Sequence, residues 1–182
     1  AYGGIADGMV NSQVLWVGGG GNLLLRTTGT GLPTVVTNYT APPVNGGAVL
    51  DVVMDPEDWR IAYILDSNGN VFRAVSDNAG TNVAFTDVTG NLGDVASSLR
   101  VLEVVRIDSN LVLLIGGRLG VYRALNPSPD SVWTELGANL ANAPVNDIRY
   151  DATDDLLLAG TFGRGAWTVE NASFFLLQNP VM

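Results

Sequence analysis

Internal repetition constrains this chain more than any other feature of its sequence. The segment Ile61–Arg73 aligns with Leu111–Arg123 and with Leu156–Thr168, and more loosely with Val14–Arg26. Successive copies end 47, 50 and 45 residues apart, and a matching apolar strand precedes each of the last three. A unit of four strands in about 45–50 residues is the size of one β-propeller blade. The repetition therefore predicts an all-β chain built from blades.

Turn residues support this prediction along the whole sequence. The chain contains 22 Gly and 8 Pro, and short β-branched or alternating runs lie between them at strand spacing. Two copies are also followed by closing strands with similar endings, Phe85–Leu92 and Trp133–Leu140. We therefore expect about four four-stranded blades, with approximate ranges 1–43, 44–93, 94–141 and 142–182, in a single propeller portion.

The repeats resemble the sialidase-like, or Asp-box, superfamily of propellers. Residues 143–168, which end in Ala-Gly-Thr-Phe-Gly-Arg-Gly-Ala-Trp-Thr, are similar to the last blade of that group. Segments Asp55–Tyr63 and Val71–Gly80 are similar to a middle blade, and Ser76-x-Asn78-x-Gly80 resembles a worn Asp box with Asn in place of Asp. We interpret this box as a hairpin that hydrogen-bonds its own turn and assists folding.

The resemblance implies a ring of six to eight blades, which is more than this chain contains. The opening residues Ala1–Gly4 resemble the tail of an innermost strand whose start is missing. We therefore expect the remaining blades to come from another chain or from a cleaved N-terminal part. The first and last blades should then bury apolar faces against that polypeptide.

Composition removes much of the usual catalytic repertoire. All nine basic residues are Arg, and the chain has no Lys, His or Cys. Thiol chemistry, disulfides, histidine–metal sites, Schiff bases and serine–histidine mechanisms are thereby excluded. The formal net charge of −9 disfavours binding to nucleic acids and anionic lipids. The longest apolar runs, such as Ser173–Gln178 and Leu111–Ile115, reach only strand length, so we expect no membrane insertion.

Three carboxylates are the main candidates for a functional site. Asp51, Glu103 and Asp147 occupy equivalent places on three successive first strands of the repeats. In a propeller these strands surround the central channel, where convergent acids bind cations or raise one another's pKa. The alternative is that they line a wet channel or bond to neighbouring backbone, and this structural role is the stronger expectation. We assign no catalytic residue.

A second group of candidate residues comprises possible calcium ligands and arginines that recur in the repeats. The loop Asp66, Asn68 and Asn70 imitates calcium-ligand spacing, but Asn-Gly between two apolar runs predicts a hairpin turn more strongly. The segment Asp151–Asp155 is a similar hairpin tip whose carboxylates we expect to be solvated. A further repeat on the third strands comprises Arg26, Arg73 and Arg123, and a role in bracing adjacent blades is the favoured interpretation. The sialidase likeness suggests a carboxylate-binding role for them as the alternative.

The four tryptophans bear on whether the chain binds sugars or has a structural role. A sugar-binding propeller would use Trp16, Trp59, Trp133 and Trp167 as stacking platforms. Trp133 and Trp167, however, occupy positions that core aromatics usually fill, while Trp59 lies in a predicted turn. We therefore expect Trp167 to be buried, and Gly160, Gly163 and Gly165 around its hairpin to need positive φ.

These observations predict a non-catalytic structural or binding module of a larger secreted or cell-surface bacterial protein. The alternatives are the C-terminal half of a propeller glycoside hydrolase or sialidase, and a propeller lectin. Protein or glycan partners are consistent with the module, and we expect no cofactor unless the Asp66 loop binds calcium.

Overall fold

A computed structural model describes residues 1–19, 22–29, 34–35, 47–137 and 142–178. The chain divides into an N-terminal unit, Ala1–Val88, and a C-terminal unit, Thr89–Met182. The described residues form antiparallel strands and two short helices, so the all-β prediction is confirmed.

The N-terminal unit consists of two antiparallel sheets in which each strand pairs with the next in sequence. Sheet A contains β1 (Tyr2–Ala6), β2 (Met9–Gly19), β3 (Asn22–Arg26) and β4 (Thr34–Val35). Sheet B contains β5 (Val49–Met54), β6 (Ile61–Asp66), β7 (Val71–Ser76) and β8 (Val83–Asp87).

The core of this unit lies between the two sheets. Alternate residues of sheet A, among them Trp16 and Leu25, pack against Ile64 and Ala74 of sheet B. The Trp16 indole Nε1–H donates to the backbone carbonyl of Trp59 at 2.9 Å, which also fixes the loop before β6. Burial of such alternating apolar residues stabilises paired sheets by removing apolar surface from water.

The C-terminal unit begins with the short helix α1 (Leu92–Val95) and contains sheets C and D. Sheet C comprises β9 (Val101–Ile107), β10 (Asn110–Gly116), β11 (Val121–Leu125) and β12 (Thr134–Leu136). Sheet D comprises β13 (Val145–Asp151), β14 (Leu156–Thr161) and β15 (Gly165–Glu170), and helix α2 (Ala172–Leu177) follows. The core lies between sheets C and D and includes Leu114, Ala159 and Leu176.

Helix α2 corrects the sequence analysis, which treated Ser173–Gln178 as a run of strand length. Left-handed backbone at Asn171 (φ +52°) turns the chain out of β15 and into the helix. Its residues Ala172 and Leu176, four apart on one face, are fully buried in the core. Two buried apolar side chains at helical spacing stabilise a helix that its short length would not support alone.

The described strands of each sheet fall inside one of the four predicted ranges. The boundaries near residues 43 and 141 and the tail of the closing strand Trp133–Leu140 after Gly137 lie outside the described residues. In the β14–β15 hairpin, Gly163 and Gly165 have positive φ as expected, whereas Gly160 does not.

Burial distinguishes the terminal sheets from the middle ones. Strands β6 and β10 are buried on both sides. Strands β2 and β14 carry fully buried residues on the side that faces the core, but partly or fully exposed residues on the other. We call these exposed sides the outer face of sheet A (Tyr2, Leu15, Val17, Leu24, Arg26) and the outer face of sheet D (Arg149, Leu156, Leu158, Gly160, Thr168).

Candidate functional site

The three candidate carboxylates lie on the first strand of three sheets. Asp51 is on β5, Glu103 on β9 and Asp147 on β13, and each of these strands forms one edge of its sheet. Their equivalent placement follows from the strand order that the three sheets share. Whether they serve a common function depends on what surrounds each of them.

Glu103 and Asp147 meet the same arginine. The Arg149 guanidinium places Nη1 3.6 Å from Glu103 Oε2 and Nη2 3.2 Å from Asp147 Oδ1. The Tyr150 backbone N–H donates to Glu103 Oε1 at 3.2 Å, and Arg149 Nη1 donates to the Ile148 carbonyl at 2.8 Å. The cluster thus connects β9 to β13, and its single positive charge offsets one of the two negative charges.

This arrangement is at most a weak brace between β9 and β13. Arg149 and Asp147 are more than half exposed, so water screens their ion pair, and such pairs contribute about 0–1 kcal/mol. Arg149 was not among the residues predicted from the sequence. The available signal was its position two residues after Asp147 on one strand, which places both side chains on the same face.

Asp51 has different surroundings in the N-terminal unit. Its Oδ1 accepts the backbone N–H of Val52 at 2.8 Å. Burial lowers the pKa of the Ala1 amino group, and the charge of Asp51 opposes this shift only in part. Asp51 therefore interacts with the amino terminus of β1 and with its own strand.

The loop with calcium-like spacing forms the predicted hairpin between β6 and β7. Asp66 is fully buried, and its Oδ1 accepts the backbone N–H groups of Asn68 and Asn70, both at 2.9 Å. Its Oδ2 accepts the Asn70 side-chain amide at 3.2 Å. The carboxylate is thus used by its own turn. Calcium binding here stays a sequence-based prediction that competes with these hydrogen bonds.

The Asp-box-like turn between β7 and β8 is also held by its own side chains. Asp77 accepts four hydrogen bonds, from the backbone N–H and side chain of Thr81 and from the backbone N–H and side chain of Asn82. These donors, with the Asn82 amide first, hold the pKa of Asp77 well below its usual range. The acceptor is Asp77 and not Asn78, and the turn has the self-bonded character that we expected of a folding device.

Asn78 instead belongs to a cluster around Arg60 that the sequence analysis missed. The Arg60 guanidinium pairs with Asp58 at 2.7 and 2.8 Å and with Asp7 at 3.0 Å through two nitrogens, and it donates to Asn78 Oδ1 at 3.1 Å. Burial alone raises the pKa of Asp58, but the hydrogen bonds and charge of Arg60 outweigh burial and lower it. The cluster joins three turns of the N-terminal unit.

The hairpin tip Asp151–Asp155 corrects an expectation, because Asp155 is not simply solvated. Asp155 Oδ1 accepts the Ser173 backbone N–H at 2.8 Å and the Tyr150 hydroxyl at 2.9 Å, and Oδ2 accepts the Ser173 hydroxyl at 2.7 Å. Hydrogen bonds from Ser173 lower the pKa of Asp155, while burial and the Asp155 contact raise the pKa of Tyr150 to about 12. Asp155 therefore caps the first turn of α2, which lacks a cap from Asn171.

The other end of α2 is bound by one of the repeated arginines. Arg123 is buried, and its guanidinium donates to the backbone carbonyls of Leu176 and Gln178. Burial lowers the pKa of Arg123. Arg26 donates instead to the Gln13 carbonyl at 2.9 Å within sheet A. Arg123 thus has the bracing role that we favoured, although it braces a helix and not a neighbouring strand.

One tryptophan departs from the sequence analysis. Trp16 and Trp133 are fully buried, and Trp59 is only 7% exposed although it lies in a loop. Trp167 faces the core side of sheet D, since it pairs with Ala159, but it is 38% exposed. The predicted burial of Trp167 is therefore wrong, because Trp167 lies on the last strand of its sheet. Trp59 is well packed although the sequence places it in a turn.

Two further observations concern the described residues. None of their helices is long and apolar enough to cross a membrane. No three acidic side chains in this part of the chain are grouped so that they would hold a metal ion. No protein-family model, curated protein or solved structure matches the sequence or the fold of this chain.

Proposed function

We propose that the chain is a non-catalytic structural or binding module: four blades of a sialidase-like β-propeller that other polypeptide completes. One observation carries this proposal. The terminal sheets A and D present partly or fully exposed outer faces, while β6 and β10 of the middle sheets are buried on both sides. In a propeller every blade packs both faces against neighbours, so exposed outer faces suit the first and last blades of an incomplete ring.

The composition of the outer faces supports a protein partner. The outer face of sheet A carries Leu15, Val17 and Leu24. The outer face of sheet D carries Leu156 and Leu158. Gly160 on the same face allows another backbone to approach closely. Leu158 is exposed and the other four side chains are half-buried, and apolar side chains grouped on one sheet face and still open to water suit an interaction site.

Charge substitutions on these faces test the proposal. We expect the isolated chain to self-associate in sedimentation velocity or to bind a hydrophobic dye, because its outer faces remain uncovered. Leu24→Glu and Leu158→Glu should each reduce both signals. The matched control Thr153→Glu adds the same charge at an exposed hairpin tip and should change neither. A monodisperse wild-type monomer that binds no dye would contradict the proposal.

A catalytic function is the alternative that the first-strand carboxylates keep open. Screening the full chain against sialosides and β-glucans should give no turnover, because Arg149 already pairs with both Glu103 and Asp147. Turnover that disappears in Asp51→Asn or Asp147→Asn would overturn the module interpretation. A lectin is less well supported, since three of its four proposed platforms, Trp16, Trp59 and Trp133, are buried.

A further inference from the structure

Sheet D differs from the other three sheets at one edge. Sheets A, B and C have four strands each, whereas sheet D, within the described residues, ends at β15. Five of the six residues of β15 are exposed. After Glu170 the chain turns through Asn171 into α2, which contacts β11. No described strand therefore pairs with the outer edge of β15.

Sheet B shows what a complete sheet looks like in the same register. Phe72 on β7 pairs with Ile64, and Trp167 on β15 pairs with Ala159, at aligned positions of the repeat. Both aromatic residues lie on the side of the sheet that faces the core of their unit. Phe72, which has β8 beside it, is 1% exposed, whereas Trp167 is 38% exposed. Trp167 has no described strand at the outer edge of its sheet, and this difference in neighbours accounts for the difference in exposure.

The fourth strands of sheets B and C share a pattern. Residues 85–88 and 133–136 both run aromatic, threonine, acid, aliphatic. In each case the acid lies opposite the aromatic residue of the third strand, Asp87 opposite Phe72 and Glu135 opposite Tyr122. The same register on sheet D would put an acid opposite Trp167 and an aromatic residue opposite Val169.

We propose that the outer edge of β15 binds one antiparallel β-strand of a partner polypeptide, with the order aromatic, threonine, acid, aliphatic. An unpaired strand edge offers a row of backbone donors and acceptors, and peptides bind such edges by strand addition. The aromatic side chain would extend the core beside Val169, which already packs against it. The inference deepens the proposed function, on which it rests, by naming the element that the partner contributes.

A peptide copied from the chain's own fourth strand tests this inference. The probe is Val-Ala-Phe-Thr-Asp-Val-Thr, the sequence of residues 83–89, added to the full chain during hydrogen–deuterium exchange. We expect exchange to slow at least tenfold at the alternate β15 amides that point away from β14. A peptide with Phe and Asp interchanged should bind at least tenfold more weakly, and a peptide N-methylated at alternate amides should give no protection. Unchanged exchange in β8 shows that the probe has not replaced the native strand.

Three results would overturn the inference. The first is an absence of β15 protection at a saturating concentration of the peptide. The second is protection of the outward-pointing β15 amides in the peptide-free chain at every concentration, which means that the chain's own residues pair with this edge. The third is protection that rises with protein concentration, which means that a second copy does so. If any of these occurs while Leu24→Glu and Leu158→Glu still reduce association, the proposed function stands without this strand.

Discussion

Replacement of Trp59 by alanine should destabilise the protein much more than replacement of Trp167. Trp59 is only 7% exposed, and its side chain is part of the core between sheets A and B. Its backbone N–H donates to the Ile5 carbonyl at 2.7 Å, and its carbonyl accepts the Trp16 indole at 2.9 Å. Since these bonds hold the loop in place, the space left by the indole cannot close by a simple loop movement.

The expected magnitude follows from burial. Truncation of a buried Trp to Ala costs about 3–5 kcal/mol, from lost transfer free energy and the cavity that remains. Truncation of Trp167 removes a side chain that is only partly buried, and the space it leaves opens to water at the sheet edge. We therefore expect Trp167→Ala to lower the free energy of unfolding by roughly 1–2 kcal/mol. One kcal/mol corresponds to about 2–4 °C if the chain unfolds as a whole, and to about 4–8 °C if each unit unfolds alone. Trp59→Ala should therefore lower Tm by at least about 6 °C.

Differential scanning calorimetry of both variants measures this difference, with far-UV circular dichroism to establish that each is folded at 20 °C. Trp59→Phe serves as a second variant that keeps part of the buried area and should lose less stability. Equal shifts for Trp59→Ala and Trp167→Ala, or a larger shift for Trp167→Ala, would refute the argument from burial.

Three further predictions concern turns and helix α2. Gly80→Val should destabilise by about 1–3 kcal/mol in urea unfolding and more than Gly163→Val, because both have positive φ but only Gly80 places a Cβ 2.6 Å from a neighbouring side chain. Asp155→Asn should flatten the pH dependence of stability below about pH 4. The pKa of Asp155 is lower in the folded chain than in the unfolded chain, where it is about 3.9. Ionised Asp155 therefore stabilises the fold above the unfolded pKa, and this stabilisation is lost as pH falls through the folded pKa. Arg123→Met should speed hydrogen exchange in α2 while leaving β14 unchanged, since it removes both donors to the end of the helix; unchanged exchange in α2 would contradict this role.

Strands and hairpins could be predicted from the sequence because their signals are local. The repeated segments Ile61–Arg73 and Leu111–Arg123 contain almost all of β6 and β10 and the start of β7 and β11, and Asn-Gly predicts the β6–β7 turn. Asp66 and Asp77 hydrogen-bond to residues two to five positions away, within the span that a turn motif covers. The repeat adds the order of the strands, because copies of one sequence unit fold alike.

Contacts between distant residues were decided by the tertiary structure. Asp155 and Ser173 are 18 residues apart, Arg60 and Asp7 are 53 apart, and no periodicity links either pair. From the sequence, a carboxylate at a hairpin tip is expected to be solvated. The sequence pattern does not predict helix α2, so it gives no indication that Asp155 caps it. Arg123 likewise stands in a repeat of three, but only the folded chain assigns the end of α2 to it and not to Arg26.

The sequence by itself determined that this chain folds into successive antiparallel sheets, because side-chain alternation and turn chemistry act within a few residues. It did not determine how deeply each repeated position is buried. Trp59 in a loop is covered because Trp16 and β1 come to it from other parts of the chain. Trp167 in the clearest repeat is exposed because no described strand lies beyond β15. Burial depends on which elements become neighbours, and that is a property of the assembled sheets alone.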